Sequence, residues 1–342
     1  MVLRTIDWDS EKNTIRLLDQ TLLPTEYKTI ECSTVNSLCE AIKTLRVRGA
    51  PAIGAAGAYG IALAAHKSKA STALELLDEL ESKAAQIKST RPTASNLSFS
   101  VERVINTIKS IAATKVDIID VATEEAQLIA DEDIIINKKL SKHGAKLLED
   151  GDTVMTHCNA GRFACVGWGT ALGVVRSAVE DGKEIRVVAC ETRPLHQGSR
   201  ITTYELMEDK IPVTLITDST AGYVMRRGLV DKVIVGADRI TEDAVFNKIG
   251  TYTHSVLAKE HDIPFCVAAP ASTVDCKHSE DEITIEERDP DELRYFKGSQ
   301  VAPYNVPVYN PAFDATPMEN ITAVITEKGV FQPPFLIEEL II

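Results

Sequence analysis

The chain has 342 residues, enough for two domains with cores of their own, and its 44% hydrophobic and 25% charged content matches an ordinary globular fold. A net charge of −13 with no basic run argues against a general nucleic-acid surface. Seven scattered cysteines, an odd number with no Cys-x-x-Cys pair, point to neither a disulfide framework nor a cysteine zinc site and suit a reducing cytoplasm.

The first residues place Arg4, Asp7 and Asp9 where a secretory signal needs an apolar core, so export is not expected. Thr5 to Trp8 and Thr14 to Leu18 flank the polar stretch Asp9 to Asn13, and with an extended piece at Tyr27 to Glu31 they predict a small amino-terminal sheet. From Ser33 or Thr34, a natural helix cap, Val35, Leu38, Ile42 and Leu45 form an apolar stripe that ends near Val47. Arg48 then stands at the entrance of the next helix, where Pro51 fits the first turn and Gly49 lets backbone pass close to a neighbour or ligand. Gly49 to Ala65 carries no charge for 17 residues. It is short of the roughly 20 a bilayer requires and consists mostly of Ala and Gly, so it reads as a buried helix rather than a membrane span. Further helices are predicted at Thr72 to Ser89, Leu97 to Ala113 and Ile118 to Leu148, the last interrupted near Asp131 to Asp133. Arg91 falls on the loop between the first two, where Pro92 ends the preceding helix.

After Gly151 short apolar runs alternate with helical segments: Thr153 to Thr156, Ile185 to Ala189, Val213 to Ile216, Lys232 to Val235, Phe265 to Ala268 and Ile321 to Ile325. That pattern marks a parallel sheet covered on both faces. The first run ends at His157-Cys158-Asn159, the second at Glu191-Thr192-Arg193-Pro194, the third at Thr217-Asp218-Ser219 and the fourth at Gly236-Ala237-Asp238-Arg239. Polar groups therefore collect at one edge of the predicted sheet, where open parallel sheets bind ligands. Val154 to Val175 reads as strand, loop and helix, with Cys158 at the mouth, where a helix N-terminus and nearby cations favour a thiolate.

Two chemistries fit these residues. Gly167, Gly169 and Gly173 after a strand, with Glu191 after the next, suggest a dinucleotide site, but Leu172 occupies the third fingerprint position and the glycines are expected inside the helix. The other chemistry is proton transfer on a phosphorylated small molecule, with Arg48, Arg91 and Lys248 holding phosphate and Asp238 and Cys158 titrating. Burial of Asp238 would keep it protonated as a donor. His157 and His196 read as structural hydrogen-bonders, and no metal is assigned.

Five motifs in order, RGAPAIG (Arg48 to Gly54), THCNAG (Thr156 to Gly161), ETRP with Gln197-Gly198, GADRI (Gly236 to Ile240) and NKIGTY (Asn247 to Tyr252), resemble the methylthioribose-1-phosphate isomerases over almost the whole chain. The wider superfamily includes ribose-1,5-bisphosphate isomerases and regulatory subunits of the translation-initiation nucleotide-exchange factor. The resemblance implies an α/β fold: a mainly helical domain with a small antiparallel sheet over residues 1–130, then a Rossmann-like domain with a parallel sheet flanked by helices over 131–342. The active site would lie at the domain junction and the strand carboxyl ends.

It further implies a cytoplasmic homodimer acting on a phosphosugar in methionine salvage, without metal or organic cofactor, and without nucleic-acid or membrane partners. Carried over by position, Arg48, Gly49, Ala50, Arg91, Gln197, Asn247 and Lys248 would contact substrate, Asp238 would be the acid, and Cys158 would assist hydrogen transfer. Gln197 and Asn247 rest on the resemblance alone. Phosphate on C1 blocks the free aldehyde, so ring opening must accompany isomerisation. Asp238 would protonate the ring oxygen, and Cys158 would either shuttle the C2 proton to C1 or steady a direct hydride shift. Leu195 stands where many relatives carry a basic residue, and Thr241 to Phe246 replaces their Asn-Gly-Asp turn, so 5-deoxyribose 1-phosphate or ribose 1,5-bisphosphate are alternative substrates. A non-catalytic, translation-factor-like regulator is the reading from another class.

Overall fold

The computed structural model describes residues 4–92 and 94–342. The chain forms two compact units, Met1–Lys139 with Ala160–Gly173, and Leu140–Asn159 with Val174–Ile342.

The first unit opens with an antiparallel sheet in the order β1 (Ile6–Asp9), β2 (Thr14–Leu18), β3 (Thr29–Cys32). Strand β3 starts two residues later than the apolar pattern suggests, because β2 ends at Leu18 and its last ladder partner is Thr29. Helix α1 (Val35–Lys43) is opened by a capping box on Thr34. It stops short of Val47: Leu45 turns left-handed and the Arg46 and Val47 N–H groups fold back onto Ala41 O. Helix α2 (Ala50–Lys67) is buried at every position from Ala52 to Ala65, as an all-round apolar helix must be. It packs against α3 (Ala73–Lys88) and α4 (Ser95–Ile111). Among the described residues no helix is long and apolar enough to cross a membrane.

Helix α5 runs unbroken from Lys115 to Ala145, so the expected interruption at Asp131 to Asp133 is absent. The Asp133 carboxylate does not break the helix because it has partners inside the unit: it accepts the Val166 N–H at 2.7 Å and the Asn137 amide at 3.0 Å.

The second unit is built on seven strands, β4 (Thr153–Thr156), β5 (Arg186–Cys190), β6 (Val213–Ile216), β7 (Lys232–Val235), β10 (Phe265–Ala268), β14 (Ala323–Ile325) and β15 (Val330–Phe331). All pair in parallel except β15. Along β7, Val233 and Val235 join a cluster with Met155, Phe265 and Val267, while Ile234 between them is equally buried on the opposite face. Both faces are therefore covered, which is why the strands read as continuous apolar runs. Helices α6 (Ala171–Glu180), α7 (Thr203–Glu208), α8 (Ala221–Arg226) and α9 (Thr251–Glu260) fall between them in the chain.

A second sheet escaped the sequence reading: β8 (Arg239–Ile240), β9 (Ala244–Lys248) and β13 (Phe313–Pro317) pair antiparallel in the order β13-β9-β8. The two-residue strands β11 (Tyr295–Phe296) and β12 (Ser299–Gln300) form a small hairpin between β10 and β13 in the chain.

Candidate active site

Counted by appearance, the parallel strands of the large sheet stand in the order 3-2-1-4-5-6. Direction reverses between β4 and β7, and such a switch point opens a crevice at the strand carboxyl ends. Cys158 follows β4 by one residue and Asp238 follows β7 by two intervening residues, so both leave the sheet at that crevice from hydrogen-bonded neighbours. Adjacent strands lie ~4.8 Å apart.

Cys158 is half-buried in a left-handed backbone conformation, φ +64°. That geometry is uncommon for a residue with a Cβ and has to be held from outside. Its N–H donates to Thr192 Oγ1 at 2.8 Å, and its carbonyl accepts the Thr202 hydroxyl at 2.6 Å. Thr192 is held in turn: its hydroxyl donates to Cys190 O, and its N–H and that of Arg193 donate to the two Asp218 carboxylate oxygens at 2.8 and 2.7 Å. On the other side Asn159 donates to Thr202 Oγ1 and Glu205, and Glu205 is paired with the buried Arg176.

The hairpin β8–β9 carries the second half of the candidate site. Asp238 N–H donates to Phe246 O at 2.8 Å, which fixes the candidate acid against β9. Thr241 closes the turn through Asp243 and Ala244. Asn247 and Lys248 end β9 and are 5% and 8% exposed. Asn247 donates to Thr251 Oγ1 at 3.1 Å, and the Lys248 ammonium donates to Ala312 O and lies 4.5 Å from the Phe313 ring centre. The Asp314 carboxylate accepts the Gly250 and Tyr252 N–H groups at the start of α9, and burial pushes its pKa up to about 6. Arg239, adjacent to the candidate acid, is paired with Asp275.

Gln197 is 5% exposed, and its Oε1 is buried with no hydrogen-bond partner. The next residue must be glycine: a Cβ at Gly198 would sit 1.7 Å from Cys190 O. His157 donates from Nε2 to Ile249 O at 2.8 Å and meets His254 through Nδ1, and burial pushes its pKa down to about 4. His196 bonds Arg193 and faces Glu191, consistent with a structural part.

Arg48, Gly49, Ala50 and Arg91 belong to the first unit. Arg48 is 8% exposed and donates from Nε to Gln20 Oε1 at 3.1 Å, while Gln20 donates to Phe163 O. Gly49, at φ +91°, is pressed against the loop after Gly161: a Cβ there would lie 2.3 Å from Ala164 O. Ala50 opens α2, and Arg91 sits half-buried in the bend after α3.

Two local expectations are corrected. Cys158 does not stand at a helix N-terminus, because α6 begins only at Ala171 and the intervening chain is a loop with one short turn at Arg162–Ala164. Gly167 and Gly169 lie in that loop instead of inside the helix. Gly169 has φ +95°, and a Cβ would meet the Gly161 carbonyl carbon at 2.5 Å. A bridge between Gly161 and Gly169 closes the loop on itself, a long-range pairing that helical spacing does not reveal. Thr192 was visible in the ETRP motif and Asp218 at the end of the third strand, both without their roles, and Gln20 and Thr202 carried no local signal.

Residues 46–333 match the initiation factor 2 subunit family. A protein of Methanosarcina acetivorans with the provisional name methylthioribose-1-phosphate isomerase is 64% identical, covering 100% of this chain and 98% of its own. Among solved structures, 5-methylthioribose 1-phosphate isomerase from Pyrococcus horikoshii is 43% identical with a TM-score of 0.91, covering 98% of this chain and 94% of that one. A structure described as translation initiation factor eIF-2B, subunit delta, from A. fulgidus is 56% identical with a TM-score of 0.89, covering 99% of each.

Proposed function

The chain belongs to the initiation factor 2 subunit family, and from that premise we propose that it is an aldose-ketose isomerase converting 5-methylthioribose 1-phosphate to 5-methylthioribulose 1-phosphate in methionine salvage. The observation that carries this reading is the departure of Cys158 and Asp238 from neighbouring strands at the switch point of one sheet.

The reaction moves one hydrogen from C2 to C1, oxidising C2 from alcohol to ketone while C1 is reduced. Asp238 protonates the ring oxygen, the bond from C1 to that oxygen breaks, and positive character develops at C1. The C2 hydrogen passes to C1 with Cys158 assisting, and the C2 hydroxyl returns its proton to Asp238. Positive charge from Lys248 suits the phosphate. The unsatisfied Gln197 Oε1 suits a sugar hydroxyl, since a buried acceptor without a donor is otherwise costly. Asn247, Arg48, Gly49, Ala50 and Arg91 enter as substrate-binding residues through the family resemblance. Cytoplasmic action is supported by seven cysteines, none of which is in a disulfide among the described residues. A homodimer is supported by apolar side chains exposed on α8 and α9, Tyr223, Tyr252 and Val256.

The likeness to the A. fulgidus translation initiation factor structure favours a second reading, a regulator of translation. Incubating the purified chain with 5-methylthioribose 1-phosphate separates the two: ketose should accumulate with turnover, and a folded chain that leaves the sugar unchanged removes the isomerase reading. The same assay in heavy water distinguishes a proton shuttle, which places solvent deuterium at C1, from a hydride shift, which does not.

A further inference from the structure

Behind the Cys158 loop, four elements of the second unit bring together donors that are far apart in sequence: His157 after β4, Cys190 at the end of β5, Asp218 after β6 and His254 on α9. One ligand atom from each lies within 4.8 Å of all the others. His157 Nδ1 is 3.2 Å from His254 Nε2 and 3.8 Å from Asp218 Oδ1. A tetrahedral ion with bonds of about 2.0–2.3 Å spaces its ligands by roughly 3.3–3.8 Å, so the separation from Asp218 matches and the one between the imidazoles is slightly shorter. We propose that His157, Cys190, Asp218 and His254 form a zinc site, independent of the isomerase reading.

The donor chemistry fits a borderline divalent ion. Two imidazoles, a thiolate and a carboxylate are zinc ligands, and the charges of thiolate and carboxylate cancel the two positive charges of the ion. The assembly is then neutral, as a buried site requires. His157, Cys190 and His254 are each about 1% exposed or less. Burial, with the Asp218 and Glu191 carboxylates, pushes the Cys190 thiol up, and burial beside His157 holds His254 down at about 3.

The hydrogen bonds around His157 and Asp218 are those of metal ligands. Ile249 O can only accept, so His157 carries its proton on Nε2 and points a lone pair from Nδ1 at the cluster. A ligating histidine that donates its other N–H to a backbone carbonyl is the usual arrangement. Asp218 is oriented by the Thr192 and Arg193 N–H groups. In the absence of an ion His254 Nε2 must donate to His157, which leaves His254 Nδ1 buried with an unmet lone pair. Binding moves that proton from Nε2 to Nδ1 and frees Nε2 as a ligand. Cys190 loses its proton to solvent as the sulfur-zinc bond forms, with no oxidation or reduction.

The test is metal content and cobalt substitution. The purified chain, dialysed and analysed by mass spectrometry of the elements, should retain close to one zinc per chain. After chelation, cobalt should restore a thiolate-to-cobalt absorption band together with tetrahedral d–d bands. Cys190→Ser should lose the charge-transfer band, and His254→Gln should weaken cobalt binding by at least ~10-fold. Should Cys190→Ser fail to fold by circular dichroism, His254→Gln on the exposed-faced helix α9 carries the decision. A native chain without retained zinc, taking up cobalt no more tightly than His254→Gln, overturns the site.

Discussion

Asp238 and Asp133 show how differently one residue type serves this protein. On the proposed reaction Asp238 gives a proton, and general acids contribute ~10²–10⁴ in rate. Asp238→Asn should therefore fold normally and lose turnover by about that factor; near-normal kcat removes Asp238 from the mechanism. Asp133 is half-buried in the first unit, and desolvation there raises its pKa from 3.8 to about 7, against the bonds from Val166, Asn137 and Gly167. A folded-state pKa above the unfolded one means that the neutral acid favours the fold. Its contribution is complete below about pH 4 and is lost as pH rises through about 7. Denaturant melts of Asp133→Asn should thus be flatter with pH between 4 and 7 than those of the parent, by on the order of a few kcal/mol. An unchanged pH slope would show that Asp133 is ionised in the folded chain.

Elements in the first unit are marked by their ends. Thr72 accepts the Glu75 N–H at 3.2 Å, and the Glu75 carboxylate accepts the N–H groups of Ser71 and Thr72. This capping box opens α3, whose face Leu76, Leu80, Ala84 and Ile87 is buried. Thr72→Ala should cost about 1 kcal/mol in a chemical melt. Activity should not change, because the cap lies outside the proposed machinery. The sequence pattern located this helix to within a residue at each end, because caps and apolar periodicity are local signals. It failed between β4 and α6. There the Gly161–Gly169 bridge, the Gly49 contact with Ala164 and the Asp133 bond to Val166 hold a loop that short-range spacing reads as helix.

For the whole molecule, the exposed Tyr223, Tyr252 and Val256 call for a second copy on the proposed reading, and sedimentation equilibrium should give twice the chain mass. A monomer at micromolar concentration would leave that apolar surface without its proposed cover. The motifs, the alternation of strand and helix and the polar residues at strand ends were all legible in the chain, since each depends on residues a few positions apart. Strand order was not. That β4 lies between β5 and β7, that Thr192 and Thr202 hold Cys158 left-handed, and that His254 reaches His157 are outcomes of packing both faces of one sheet. The amino-acid order by itself determined which chemical groups stand at the sheet edge. Only the tertiary structure decided which of them are neighbours, because burial of non-local apolar surface, not the run of residues along a strand, selects one strand order among those the same elements allow.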